Sequence, residues 1–252
     1  MPWSGLCGTA TVERLELDFH VLTAGSMTDR GVLCPAAEPG HMTDDRSDVR
    51  ETYEHIAEQF SKTRAHPWPE TEAFCEGRRV ATALDVGCGN GRNAERLVDH
   101  ADRVVGVDVS GTLLSLARKR VPGATLIQGD AATLPLSNDC ADLAVYVATL
   151  HHLPERRLRR RSLDELARVL APGGEALVSA WSTAHDRFEA SADDECGFDT
   201  ELDWTMPDGE TVGRYYHIYA PPEFEADLVA SDLGVERSWL SSGNCYAVVA
   251  PS

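Results

Sequence analysis

One stretch constrains this chain more than any other: Thr82-Ala83-Leu84-Asp85-Val86-Gly87-Cys88-Gly89-Asn90-Gly91, followed by Val104-Val105-Gly106-Val107-Asp108. An apolar strand enters a turn with glycines at alternate positions, a helix follows, and a second apolar strand ends on a carboxylate. That order suits a nucleotide-type cofactor laid across the carboxyl ends of parallel strands. Gly87, Gly89 and Gly91 let the backbone turn sharply and approach a ligand where a Cβ would collide.

The spacing separates two classes of cofactor. A dinucleotide site reads G-x-G-x-x-G and sets a pyrophosphate on a helix N-terminus. Here the pattern is G-x-G-x-G, preceded by Asp85. A carboxylate at the strand end suits a cation and repels a pyrophosphate. S-adenosylmethionine (SAM), with a cationic amine and a sulfonium, meets that condition. Asp108, about 20 residues on and followed by Val109, is placed to accept both ribose hydroxyls. A third apolar run, Ala124–Ile127, stops at Gly129-Asp130-Ala131, where Asp130 can accept from the adenine amino group. The expected cofactor residues are Asp85, Gly87, Gly89, Gly91, Asp108, Val109, Asp130, Ala131 and Val147. The competing reading is a dinucleotide-binding dehydrogenase, or a Rossmann-like domain without a ligand.

The 252 residues suit one domain with a sizeable core. No stretch is long and apolar enough to span a membrane, and no secretory signal stands out at the first residues. The chain carries 41 acidic against 23 basic residues, a net charge of −18, and its only lysines are Lys62 and Lys119. Carboxylate-rich surfaces with Arg in place of Lys suggest a halophilic archaeon, where salt screens long-range repulsion and local Arg clusters outweigh net charge. The seven cysteines (Cys7, Cys34, Cys75, Cys88, Cys140, Cys196 and Cys245) contain no C-x-x-C pair. The reading is therefore free thiols in a reducing cytoplasm and no metal site.

Residues 1–41 have no sustained period and read as a poorly ordered extension. Met27 and Met42 are internal, and the patterned sequence starts after Met42, so a start later than Met1 is expected. Residues 42–252 form the expected single domain. Val49, Tyr53, Ile56, Ala57 and Phe60 recur at helical spacing, giving a helix from about Ser47 to Phe60. His66-Pro67-Trp68-Pro69 stops it, and a short helix to Cys75 follows. Strands are expected near 82–86, 103–107, 124–128, 142–147 and 175–180. Helices are expected near 91–99, 110–120, 154–169 and 221–232. Pro172-Gly173-Gly174 predicts a tight turn before the fifth strand. Ser241-Ser242-Gly243-Asn244 predicts a hairpin between strands near 235–240 and 245–249. The fold class is α/β: a mostly parallel seven-stranded sheet with a C-terminal antiparallel hairpin. Residues 182–213, rich in Asp and Glu, read as an acidic, mobile insertion.

After the fourth strand comes Ala148-Thr149-Leu150-His151-His152-Leu153-Pro154-Glu155-Arg156-Arg157, without the N/D-P-P-Y/F signature of amino-nitrogen methyltransferases. Further on, Arg214-Tyr215-Tyr216-His217 joins a cation, two aromatics and an imidazole. Arg64 and Trp68 offer the same chemistry near the N-terminal helix. Such clusters suit an anionic, planar substrate: Arg holds carboxylate or phosphate bidentately, and Tyr or Trp stacks on a base. The run Arg156, Arg157, Arg159, Arg160 and Arg161 reads either as a solvated helix face or as an RNA-phosphate contact.

These segments resemble the tRNA wobble-uridine carboxymethyl methyltransferases, including the methyltransferase domain fused to the AlkB-type tRNA hydroxylase. The resemblance covers about residues 48–250. It rests on Tyr53 to Ala57 with Phe60 to Arg64, Trp68-Pro69, and Leu84 to Gly91. Further matches are Leu150 to Leu153 with Arg156-Arg157, Arg168 to Gly174, Arg214 to His217, and Gly243-Asn244. Cys245 departs from the aromatic often found after Gly-Asn, and the acidic insertion differs in length and sequence. The resemblance implies a class I SAM-dependent (Rossmann-like) fold, methyl esterification of 5-carboxymethyluridine in tRNA, and a cytoplasmic enzyme. It also implies a small zinc-binding activator subunit, which the exposed edge strand 124–128 could dock. Holding the acceptor carboxylate would fall to Arg157, Arg214 and His151 or His152; base stacking and positioning to Trp68, Tyr215 or Tyr216, and His217. Arg64 joins the substrate-binding set. Two other readings stay open: a methyltransferase for a small-molecule carboxylate or metabolite, and a non-catalytic subunit of a tRNA-modifying complex.

Overall fold

The computed structural model describes residues 46–190 and 194–252; the expectations for residues 1–41, and for the start of the chain, lie outside them. Helices α1 (Arg46–Lys62) and α2 (Pro69–Cys75) precede an alternating series. The series runs β1 (Val80–Val86), α3 (Arg92–Leu97), β2 (Ala101–Asp108), α4 (Gly111–Arg120), β3 (Thr125–Gln128) and β4 (Ala141–Val147). A 3-10 turn (Leu150–His152), α5 (Arg156–Val169) and β5 (Leu170–Trp181) follow. The chain closes with β6 (Phe198–Thr205), β7 (Thr211–Ile218), α6 (Pro221–Val229), β8 (Leu233–Ser241) and β9 (Asn244–Pro251).

Seven strands form one sheet in the order β3-β2-β1-β4-β5-β9-β8. Strands β1 to β5 are parallel, and β9 runs antiparallel between β5 and β8. β4 is apolar almost throughout because helices cover both sheet faces. Leu163, Leu166, Phe224 and Leu228 of α5 and α6 pack on one face with Tyr146 and Val178. Phe74, Ala94 and Leu97 of α2 and α3 pack on the other with Val145, Leu177 and Tyr246. The expected C-terminal hairpin is present. Ser242 and Gly243 at its turn both have positive φ, 48° and 73°, the hand that matches strand twist. The turn expected at Pro172-Gly173-Gly174 lies inside β5 as a bulge: pairing jumps from Ala141–Leu170 to Leu143–Glu175.

The acidic stretch differs from a mobile insertion. Its second half pairs residue by residue as an antiparallel hairpin, β6 with β7, from Phe198–Ile218 to Thr205–Thr211. Leu202, Tyr216 and Ile218 bury one face of this hairpin against Trp181 and Phe188, while Glu201 and Asp203 stay outside. Trp204, Met206 and Val212 meet Tyr53, Ile56 and Ala57, so α1 lies between the hairpin and Leu113 of α4. Cys75, Cys88, Cys140 and Cys245 are free thiols, whereas Cys196 is disulfide-bonded.

The arginine run also departs from a solvated face. Helical spacing turns Arg156, Arg159 and Arg160 toward α6. Arg156 and Arg160 donate to Asp227 Oδ1 at 2.9 and 2.7 Å, and Asp227 is fully buried. Arg159 donates to the carbonyls of Leu153 and Pro154. Within the run, Arg157 and Arg161 face solvent. Asp227→Ala leaves two guanidinium groups without their shared acceptor. The expected cost is about 3 kcal/mol, read as a lower urea midpoint at unchanged slope.

Candidate active site

The sheet order reverses at β1, which has β2 on one side and β4 on the other. A crevice opens there above the carboxyl ends of the strands. Gly87, Gly89 and Gly91 all take positive φ, 70°, 53° and 81°. A Cβ on Gly87 would strike the Thr149 side chain, while one on Gly89 would enter open space. Gly91 differs from its expected role. It starts α3, and a Cβ there would press on Ala117 Cβ at 3.1 Å, so it serves helix packing.

Asp108 closes the turn. Its Oδ2 accepts from the Gly89 amide at 2.7 Å and its Oδ1 from the Ser110 amide at 2.8 Å. Burial pushes its carboxyl up to about 6, against the pull of these amides. Asp85 sits below the turn, fully buried; its Oδ2 accepts from the Ala94 amide at 2.9 Å, and its Oδ1 has no partner. Burial pushes Asp85 up to about 7. Such a raised carboxyl supplies stability below its unfolded value of about 3.9, and that stability is lost as pH rises through 7.

Two clefts meet on this turn. The first is open to solvent and is lined by Gly87, Gly89, Asp108, Val109, Asp130 and Ala131, under a roof of Val49, Tyr53 and Phe60 from α1. The second, also open, is lined by Arg64, Trp68, Arg92, His151, Trp181 and Tyr216, with Val147 at its floor. Phe60, Gly87, Gly89, Ala148 and His152 line both. Open space above Gly89 and the Asp108 and Asp130 carboxylates in the first cleft fit SAM, whose adenosine would lie in the first cleft with its amino-acid end beside the glycine turn. Asp108 would hold the ribose and Asp130 the adenine side.

The wall of the second cleft is built from opposite imidazole tautomers. The Trp181 amide donates to His151 Nδ1 at 3.2 Å, so the His151 proton sits on Nε2. His152 Nδ1 lies 3.1 Å from the Tyr215 carbonyl and must donate, so its Nε2 accepts from the Tyr53 hydroxyl at 2.9 Å. Burial drives His151 far below its usual range and His152 down to about 3, with Arg214 nearby adding to the effect. Both rings are neutral. Tyr216 stacks on His151 and on Trp181 at 5.2 and 5.1 Å. Arg214 lies behind Tyr216, donates to its hydroxyl at 2.7 Å, and sits over the Trp204 ring. Arg214 is 8% exposed and its Nε has no partner.

A general methyltransferase domain family matches residues 84–178. The tRNA (carboxymethyluridine(34)-5-O)-methyltransferase of Saccharomyces cerevisiae is 31% identical over 160 residues, 63% of this chain and 57% of that protein. A putative methyltransferase of Encephalitozoon cuniculi is 34% identical over 173 residues, 68% of this chain and 80% of that one. The chain belongs to the methyltransferases, and it is similar to those named for carboxymethyluridine in tRNA. It spans only a third of the Arabidopsis thaliana protein of the same name, at 33% identity over 139 residues, 55% of this chain. Among solved structures, the DhpI–SAM–HEP complex covers 84% of this chain and all of its own, with TM-score 0.62 at 20% identity. A complex of the Haloferax volcanii Trm112 methyltransferase activator with a putative methyltransferase gives 0.59 at 16%, over 81% and 97%. Both share the class I methyltransferase fold.

In this methyltransferase the Arg-Tyr-Tyr-His cluster is divided. Strand alternation in β7 puts Arg214 and Tyr216 on one face and Tyr215 and His217 on the other; of the four only Tyr216 lines a cleft, with Arg214 behind it. Tyr215 donates to Asp199 and to the Pro154 carbonyl, and His217 lies between Asp199 (2.7 Å) and Glu223 (3.2 Å). Neither lines a cleft, which corrects their expected substrate contact. Arg157 is corrected too: it is exposed and bound to Glu155 at 2.9 Å. Tyr53, Phe60, Arg92, Thr149 and Trp181 line the clefts and were absent from the expected site. The signal for Tyr53 and Phe60 was present in the apolar face of α1.

Donor binding should weaken as pH falls through about 6, where Asp108 takes up its proton and loses acceptor capacity. Calorimetric titration with S-adenosylhomocysteine between pH 5 and 8 measures this. Asp108→Asn should lose most affinity and the pH dependence together. Gly87→Ala should abolish donor binding through its collision with Thr149, and affinity should return in part when Thr149→Ala removes the two nearest colliding atoms, Oγ1 and Cγ2.

Proposed function

We propose that this chain methylates the carboxylate of a 5-carboxymethyluridine at the tRNA wobble position. The observation that supports this most is Arg214, a buried guanidinium directly behind Tyr216, which lines a cleft with neutral imidazoles and no carboxylate among its lining residues. A carboxylate acceptor is ionised at neutral pH, since its pKa is near 4, and needs no general base. The site fits that economy. His152 already accepts from Tyr53, and His151 presents only an N–H.

When bound, SAM supplies an electrophilic methyl on a cationic sulfur. The chain's part is placement and desolvation. Arg214 would hold one carboxylate oxygen, and His151 Nε2–H can steady the same group. Tyr216 and Trp68 would flank the base, and Arg64 adds positive charge on the α1 side. Opposite charges neutralise as the methyl moves, so a dry, apolar junction at Gly87, Ala148 and Phe60 favours the transition state.

tRNA, rather than a small carboxylate, is favoured by the similarity to the tRNA (carboxymethyluridine(34)-5-O)-methyltransferases. The partner reading is a zinc-binding activator. β3 is a sheet edge only four residues long with Thr125 and Gln128 exposed, and an edge of this kind invites strand augmentation. The Haloferax neighbour, solved with its activator, supports that choice. We place the working enzyme in the cytoplasm with its tRNA; no helix among the described residues is long and apolar enough to cross a membrane.

Arg214→Gln should lower methyl transfer by about 100-fold while S-adenosylhomocysteine affinity stays within twofold. An equal fall in both would remove Arg214 from the acceptor role. Nucleoside mass spectrometry of tRNA from a deletion strain should show the carboxymethyl nucleoside accumulating at the expense of its methyl ester. Unchanged tRNA would redirect the reading to a small-molecule acceptor.

A further inference from the structure

Most of this chain's buried or half-buried arginines meet a carboxylate: Arg78 with Glu175, Arg120 with Glu95, Arg156 with Asp227, Arg168 with Glu165. Arg92 does not. It opens α3 directly after the glycine turn, lines the second cleft, and lies over the Trp68 ring at 5.2 Å. No described carboxylate forms an ion pair with it. Arg64 lines the same cleft and lies over Phe60 at 4.6 Å, likewise without an acidic partner.

The placement of Arg64 is enforced from the glycine turn itself. Asn90 Nδ2 donates to Ser61 Oγ at 2.9 Å and to the Arg64 carbonyl at 3.1 Å, and Arg120 also donates to that carbonyl at 3.0 Å. Two guanidinium groups are therefore held at one end of one cleft, on the stretch that cradles the donor. Burial and the neighbouring Arg64 push Arg92 down to about 10, against an opposing pull from the Asp85 carboxylate beneath the turn, with which it makes no ion pair.

We infer that Arg92, backed by Arg64, binds the carboxylate of the donor's amino-acid end. This rests on the SAM reading of the site. With the adenosine placed by Asp108 and Asp130 in the first cleft, the amino-acid end must pass Gly87 and Gly89 into the second. Its two charges then meet opposite surroundings. The amine lies near the carboxylate layer of Asp85, and the carboxylate reaches the arginines. Arg214, on the far side of Tyr216, is left for the acceptor. The donor's anion position is thus separate from Arg214.

The test compares two ligands on the purified full chain by calorimetry. S-adenosylhomocysteine has the amino-acid end; 5′-methylthioadenosine has the same adenosine and sulfur without it. Arg92→Gln should weaken S-adenosylhomocysteine at least 10-fold and leave methylthioadenosine within twofold, and Arg92→Lys should recover part of the loss. Arg92→Met, which keeps an apolar stem over Trp68, should repeat the Gln result. Equal loss for both ligands would make Arg92 a brace for the turn and overturn the inference. Unchanged binding of both, with weaker tRNA affinity, would overturn it in favour of an RNA phosphate. A wild-type chain that bound neither ligand would instead defeat the donor reading itself.

Discussion

The carboxylate of Asp108 joins the two strands on which the site is built. It ends β2 and accepts amides from Gly89 on the glycine turn and from Ser110 at the start of α4. These contacts hold the turn open at its positive φ angles and set the floor shared by both clefts. They also leave a buried charge that costs free energy and is offset by backbone dipoles and by whatever donates to it from the cleft. Asp85 repeats the arrangement one strand over, with one oxygen bound and one unpartnered. The fold concentrates negative charge where a cationic donor arrives, and an overall acidic sequence does not explain that concentration.

The inserted hairpin does the opposite. β7 carries Arg214 and Tyr216 into the acceptor wall, and its Tyr215 carbonyl fixes the tautomer of His152. On its other face, Tyr215 and His217 tie it to Asp199, and His217 reaches Glu223. His217 thus bridges two acids, one at each ring nitrogen. The reactive face is positioned by a polar cluster on the reverse of the same strand.

What could be read from the sequence follows this division. The donor cradle was legible because glycines at alternate positions and carboxylates at strand ends are local features. Asp85, Gly87, Gly89, Asp108 and Asp130 are each dictated by the few residues around them. The alternation of strands and helices and the final hairpin were legible for the same reason. The acceptor wall was not. Arg214 to His217 read as one cluster only while the segment was taken for a loop. Once it is a strand, alternation separates the cluster into two faces. Arg157 was misplaced through helical phase: its neighbours at 156, 159 and 160 took the inward face and left it outside. Arg92 carried no pattern of its own, since only three-dimensional packing shows that it lacks an acid.

Helix α1 is fastened at three points along its length. Glu54 accepts the Gly111 and Thr112 amides at the head of α4, Tyr53 reaches His152, and Asn90 grips the Ser61–Arg64 segment beyond. Because this helix roofs one chamber and its tail borders the next, spent cofactor cannot be exchanged through that roof without also loosening the neighbouring compartment. Turnover on one reactant and admission of the other share a single hasp.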